Sequence, residues 1–124
     1  MKEIVAVLRM NMMNQTKVAL TQAGVDAFFA HEAQGRGKGL VNCNLIHGAE
    51  KGIQEAVAQL GEKGKLYPKR MVTVVVPDDQ VQTVVRAIIE SNATGSAGDG
   101  KIFVLPLGDA TRIRTGETGQ ESIA

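Results

Sequence analysis

Three glycines within six residues (Gly95, Gly98 and Gly100), Lys101 beside them, and Arg112 and Arg114 one residue apart give the stretch Thr94 to Glu117 the residue types that bind phosphate. Glycines let the backbone come close to an anion and aim its N–H groups at it, and Lys101 adds a point charge. Arg112 and Arg114 alternate with Ile113, so an extended strand would send both guanidiniums from one face to take phosphate oxygens in bidentate bonds. Gly95 to Lys101 also satisfies GxxxxGK, but it is not read as a P-loop. Ile102 stands where the magnesium-holding Ser or Thr is required, and the local order is helix, glycines, strand instead of strand, loop, helix. A plain glycine-rich connection with surface charge would account for the glycines, but not for two same-face arginines beside a lysine.

The elements that must position these groups follow from the patterning. Lys2 to Arg9 alternates around a β-branched centre and predicts a strand. Asn14 to Ala23 predicts a helix with Asn14 as N-cap and Gly24 just past its end. Ala27 to Ala33 predicts a second strand, alanine-rich and therefore poorly marked. Met71 to Val76 predicts a third, stopped by Pro77, after which Asp78 and Asp79 lead into a helix over Gln80 to Glu90. Ile102 to Leu107 and Ala110 to Thr115 predict a closing pair of strands around the Gly108-Asp109 turn. The order predicts an α+β fold, a ferredoxin-like βαββαβ sandwich in one domain over residues 1–124, with two helices on one face of an antiparallel sheet. Such a fold decides no function by itself.

More than thirty residues, Gln34 to Arg70, separate the second and third strands, and an insertion that long inside a small domain is expected to be functional. It opens on Gly35-Arg36-Gly37-Lys38-Gly39, a second basic glycine-rich run. Ala49, Ile53, Ala56, Val57 and Leu60 fall at helical spacing, an apolar stripe that folds back on the domain or docks a partner. The glycines of Gly39 to Leu66 raise the entropy cost of fixing the segment, so it is expected to be ordered by a ligand or partner. Lys63 and Lys65 read as solvated; Lys69, beside Pro68 at a strand entrance, is the better candidate to meet an anion.

Composition excludes several classes. With 14 basic against 13 acidic residues no broad polyanion-binding face is implied, and with no Trp, one Tyr and three Phe the stacking platforms of single-strand binders are missing. Nucleic acid is therefore not an expected partner. Cys43 has no CxxC companion and only His31 and His47 could join it, so neither a metal site nor a cysteine nucleophile is expected. No apolar run reaches the length of a signal h-region or a membrane span, and the chain is read as cytoplasmic, without membrane insertion.

Met1 to Leu8, Gly35-x-Gly37, His47-Gly48-Ala49-Glu50, Pro68-Lys69, Val75 to Asp79, Thr94-Gly95, GDGKIF at Gly98 to Phe103 and RIRTGE at Arg112 to Glu117 together resemble the PII signalling family, nitrogen regulatory protein P-II, over nearly the whole chain. The resemblance implies a non-enzymatic sensor: a homotrimer with ATP or ADP in clefts between subunits. Gly98, Asp99, Gly100, Lys101, Arg112 and Arg114 would be binding residues, and Gly35, Gly37 and Lys38 would reach the same cleft from the long loop, the family's T-loop, here about residues 36–69. Lys69 matches the lysine that pairs with 2-oxoglutarate, whose binding involves Mg2+.

Four departures matter. Lys51 stands in place of a modifiable tyrosine and Ala49 in place of a phosphorylated serine, so neither covalent switch is expected. Gly39 replaces the glutamine that helps ligate magnesium and orient 2-oxoglutarate; Ser96 replaces a lysine; and the T-loop is longer than the common pattern by about ten residues. Leu8-Arg9-Met10-Asn11-Met12, Thr16-Lys17-x-Ala19-Leu20, GRGKG and the enlarged loop resemble the nitrogenase-associated branch, and within it the second of two paralogues. That implies a complex with the sister paralogue that inhibits dinitrogenase until 2-oxoglutarate and ATP release it. A regulator of an ammonium channel or a nitrogen-assimilation enzyme is the alternative within the family, and a slow ATP-hydrolysing enzyme, with Asp99 positioning water, the alternative outside it.

Overall fold

The computed structural model describes residues 1–36 and 66–124. Strand β1 (Lys2–Arg9) runs through a 3-10 turn (Met10–Met12) into helix α1 (Met13–Gln22), which is followed by β2 (Phe29–Gly35). Strand β3 (Tyr67–Val76), a 3-10 turn (Asp78–Gln80), helix α2 (Val81–Asn92), β4 (Lys101–Pro106) and a terminal 3-10 turn (Gly119–Ile123) complete the order. The sheet is β2-β3-β1-β4 with every neighbouring pair antiparallel, the ferredoxin-like βαββαβ sandwich.

Alternation builds the core. Ile4, Ala6 and Leu8 leave one face of β1, Val72, Val74 and Val76 leave the same face of β3, and Leu20, Val81, Val84 and Ile88 cover them from the helices. The two helices are also tied by a buried polar contact in which the Asn92 amide Nδ2 donates to Thr16 Oγ1 at 2.9 Å. The other face is half-buried and apolar at Val5, Val7, Met71 and Val75, with Phe29, Phe103 and Leu105 exposed along its flanks. Antiparallel partners share a face, so Phe29, Thr73, Val5 and Phe103 form one row across it.

Several expected boundaries move. Asn14 is not the N-cap of α1: the chain leaves β1 directly into a 3-10 turn, which tightens the first turn, and Met12 caps the helix with no side-chain bond. Gly24 does follow the helix end, at φ +88°. β2 starts two residues later than its alanines suggest, because pairing with β3 sets its register from Phe29 opposite Thr73 to Gly35 opposite Tyr67. β3 begins at Tyr67 instead of Met71 and contains Pro68, tolerated because Pro68 lies past the end of β1 where β3 has a neighbour on one side only. Lys69 is accordingly inside a strand, not at its entrance, and the loop between β2 and β3 is closed by the Gly35–Tyr67 pair, inside the expected bounds of 36–69.

The largest correction is at the end of the chain. Ala110 to Thr115 is not a strand and Gly108-Asp109 is not a hairpin turn; only an isolated bridge joins Thr111 to Thr118. Asp109 Oδ1 accepts from Ala110 N and Gly119 N, and Gly116 N returns to Arg112 O at 2.7 Å, so the segment closes on itself before it can pair with the sheet. Gly37, Lys38, Gly39, Cys43, Ala49, Lys51 and the helical stripe from Ala49 to Leu60 lie outside the described residues.

Position on α1 should decide the cost of truncation. Leu20→Ala, at a fully buried site, should lower stability by about 2–5 kcal/mol, whereas Val18→Ala, 57% exposed two residues away, should change it by no more than about 0.5 kcal/mol. Denaturant unfolding of the two variants measures the difference.

Candidate functional site

The topology brings the far end of β1 between two basic or glycine-rich segments. Arg9, the last residue of β1, pairs across the ladder with Lys69 of β3, and Val7 pairs with Lys101 of β4. All three cations therefore belong to the open face of the sheet. Arg9, Met10, Tyr67, Pro68, Lys69, Ala97 and Gly98 line a cleft of about 360 Å³ there. A second cleft, about 350 Å³, lies between α2 and the start of β4, with Asp99, Gly100 and Lys101 at one side and Val7, Val85, Ile88 and Ile89 among its apolar walls.

The glycine loop is held by its own aspartate. Asp99 Oδ2 accepts from Thr94 N at 2.7 Å and Gly95 N at 3.0 Å, and Oδ1 accepts from the Thr94 hydroxyl and from Arg9 Nη1 at 2.6 Å. Arg9 Nη2 donates to Ala97 O at 3.0 Å, so one guanidinium ties the loop to β1 at two points. The Thr94 hydroxyl first, then the Thr94 N–H, with Arg9 and the Gly95 N–H behind them, hold the Asp99 carboxyl well below the usual carboxylate range against partial desolvation. The loop thus already binds one anion, its own, and that anion uses the donors at Thr94 and Gly95. No hydrogen bond of Gly98 or Gly100 is found among the described residues, which leaves their N–H groups for another acceptor.

Gly100 has a packing reason as well. At φ +111° a Cβ there would stand 2.0 Å from the Val7 carbonyl oxygen, so only glycine lets the loop enter β4 against β1. At Gly35 and Gly95 a Cβ would meet nothing within 4 Å.

Of the expected binding residues, Gly98, Asp99, Gly100 and Lys101 are brought together, and Lys69 faces the same loop across Arg9. Gly35 closes the base of the long loop two residues beyond the position opposite Lys69. Arg112 and Arg114 do not leave one face of a strand. Arg112 donates to Glu117 Oε1 at 3.3 Å, Glu121 O at 3.0 Å and Ala124 O at 3.1 Å, while Arg114 is exposed with no acidic partner among the described residues. Neither cleft beside the glycine loop includes either arginine. Arg9 and Thr94 were not legible as site residues; Arg9 closes an ordinary strand, and its partner is 90 residues away.

The family model for nitrogen regulatory protein P-II matches residues 1–117. The "Nitrogen fixation nifHD region GlnB-like protein 2" of Methanobacterium ivanovii is 40% identical and covers 99% of each chain. Its namesake from Methanothermococcus thermolithotrophicus is 44% identical over 99% of this chain and 98% of its own. Among solved structures, Arabidopsis thaliana PII bound to citrate matches with a TM-score of 0.73 at 30% identity, covering 98% of this chain and 88% of that one.

Two outcomes follow from the loop geometry. Gly100→Ala should cost about 2 kcal/mol or more, since strain at positive φ of about 1–2 kcal/mol adds to the Val7 clash, while Gly95→Ala should show the strain alone; equal losses in thermal unfolding would contradict the packing role. Because the folded Asp99 carboxyl is depressed, its contribution is present above the unfolded value and is lost only as pH falls through the folded one. The Thr94 and Gly95 amide resonances should therefore stay unchanged from pH 7 to about 3, and a midpoint near the ordinary value of about 3.9 would contradict the assignment.

Proposed function

The chain belongs to the nitrogen regulatory protein P-II family, and from that membership we propose a single-domain sensor, over residues 1–124, that reads adenine nucleotide and 2-oxoglutarate and regulates dinitrogenase. It is a regulatory signal protein, not an enzyme, as its family and relatives are. The nifHD-region names of its relatives link the signalling to nitrogen fixation, which favours dinitrogenase over an ammonium channel or an assimilation enzyme as the target. The protein acts in the cytoplasm, in complex with its sister paralogue or as a homotrimer. No helix among the described residues is long and apolar enough to cross a membrane.

The observation that carries this reading is the pair of N–H groups at Gly98 and Gly100, without a hydrogen-bond partner among the described residues, next to Lys101, a donor set suited to the phosphates of ATP or ADP. Arg112 and Arg114 complete the grip from a second copy, since neither cleft of one chain contains them, and the apolar open face of the sheet is suited to burial against another copy. Lys69 takes a carboxylate of 2-oxoglutarate on the same face. Gly35, Gly37 and Lys38 approach from the long loop, whose conformation then carries the signal to the target.

Among the described residues no three His, Cys, Asp or Glu side chains gather to hold a metal, and both Asp99 oxygens accept bonds from the chain itself. Mg2+ fits this donor set as an ion held mainly by phosphate and 2-oxoglutarate oxygens, with Gly39 offering no side-chain ligand. The same engagement of Asp99 argues against its serving as a base that positions water, as the ATPase alternative requires.

Replacing both Arg112 and Arg114 by alanine should weaken Mg-ATP binding at least a hundredfold, from charge-assisted bonds of roughly 1.5–3 kcal/mol each; calorimetry showing unchanged affinity would reject the nucleotide assignment. Deleting residues 51–64 should leave oligomer mass and ATP binding intact while abolishing dinitrogenase inhibition. Full inhibition by the deletion variant would move the partner surface elsewhere.

A further inference from the structure

A glycine-rich loop is a poor anion site unless something fixes it, because its backbone has the most freedom to lose. Here the fixing group is a carboxylate, which by charge alone should repel a phosphate bound nearby. Asp99 nonetheless stands between Gly98 and Gly100, with Thr94 N, Thr94 Oγ1 and Gly95 N on one side and Arg9 Nη1 on the other. Arg9 neutralises it and, through Nη2, also holds Ala97 O at 3.0 Å. Gly98 packs against the same guanidinium, since a Cβ there would lie 3.3 Å from Arg9 Nη2. The loop is thus fastened at residues 94 and 95 to the carboxylate and at 97 to Arg9, while Gly98 and Gly100 only approach the Arg9 guanidinium and the Val7 backbone closely, with no hydrogen bond among the described residues.

We propose that Asp99, Thr94 and Arg9 act as positioning residues, a clasp that sets the glycine loop so that the Gly98 and Gly100 N–H groups remain for a nucleotide phosphate. This deepens the nucleotide-site reading above and rests on it. Asp99 then contributes by shaping the site before ligand arrives, and not by touching phosphate or metal. The sign of its effect separates the two roles. A bystander carboxylate repels phosphate, so removing its charge should tighten binding; a clasp carboxylate, once removed, loosens the loop and weakens binding despite the gain in charge.

The test is Mg-ATP titration by calorimetry on the full chain, with hydrogen exchange at residues 94–100 measured in the absence of ATP. Asp99→Asn should bind at least tenfold more weakly than wild type, with Thr94 and Gly95 amides exchanging at least tenfold faster. Thr94→Val, which removes one donor and keeps the charge, should move both readouts the same way by a smaller factor and serves if Asp99→Asn fails to fold. Arg9→Gln combined with Asp99→Asn should bind no more weakly than about the worse single variant, because the residues act as one unit. The clasp is overturned if Asp99→Asn binds as tightly as wild type or tighter, if it binds more weakly with loop exchange unchanged, or if the single losses multiply in the double variant. A wild-type chain that binds no Mg-ATP would instead overturn the site reading beneath the proposal, and that result is distinct from the others.

Discussion

Arg9 sits where strand β1 ends, and the arrangement around it depends on the two antiparallel ladders of β1. Pairing with β3 sets Arg9 opposite Lys69, and pairing with β4 sets Val7 opposite Lys101, so the glycine loop must turn within one residue of the end of β1. A one-residue slip in either ladder would send these cations to the helix face and the core side chains to the open one. The register is secured by Ile4, Ala6 and Leu8 against Val74, Val72 and the helices, which means that packing of the hydrophobic core fixes the geometry of the glycine loop.

Within that frame the glycines divide their roles. Gly100 is required by the Val7 carbonyl, Gly98 is favoured by its φ of +95° beside the Arg9 guanidinium, and Gly95 supplies an N–H to the Asp99 carboxylate. A motif that looks like one phosphate cradle is therefore in part an internal anion site, filled by Asp99. The division also explains why a small charged loop can persist without ligand: its strongest acceptor is covalently supplied, and the matching cation comes from the central strand.

Much of this was legible from residue patterning, and what was not has physical causes. β1 and the valines of β3 alternate because one face is buried, and the alternation gave their positions nearly to the residue. β2 is an exposed edge strand, so its own side chains carry little signal and its register comes from β3. Arg112-Ile113-Arg114 alternates like a strand, yet Asp109 and Glu117 draw the segment into a closed turn that no period reveals. The GDGK run was legible as a glycine-rich loop suited to an anion, but Arg9, which pairs with its Asp99, lies 90 residues away, a distance over which spacing says nothing.

The central claim is that a complete nucleotide site needs the glycine loop of one copy and the arginines of another. Mixing two separately purified variants after dissociation and reassociation tests it directly: Lys101→Ala, defective in the loop, and Arg112→Ala/Arg114→Ala, defective in the arginines. Each alone should bind Mg-ATP poorly, and the mixture should regain a fraction of wild-type sites at wild-type affinity, because some interfaces then join an intact loop to intact arginines. A mixed oligomer that forms but binds no better than its parents would contradict a shared site and return both groups to a single chain.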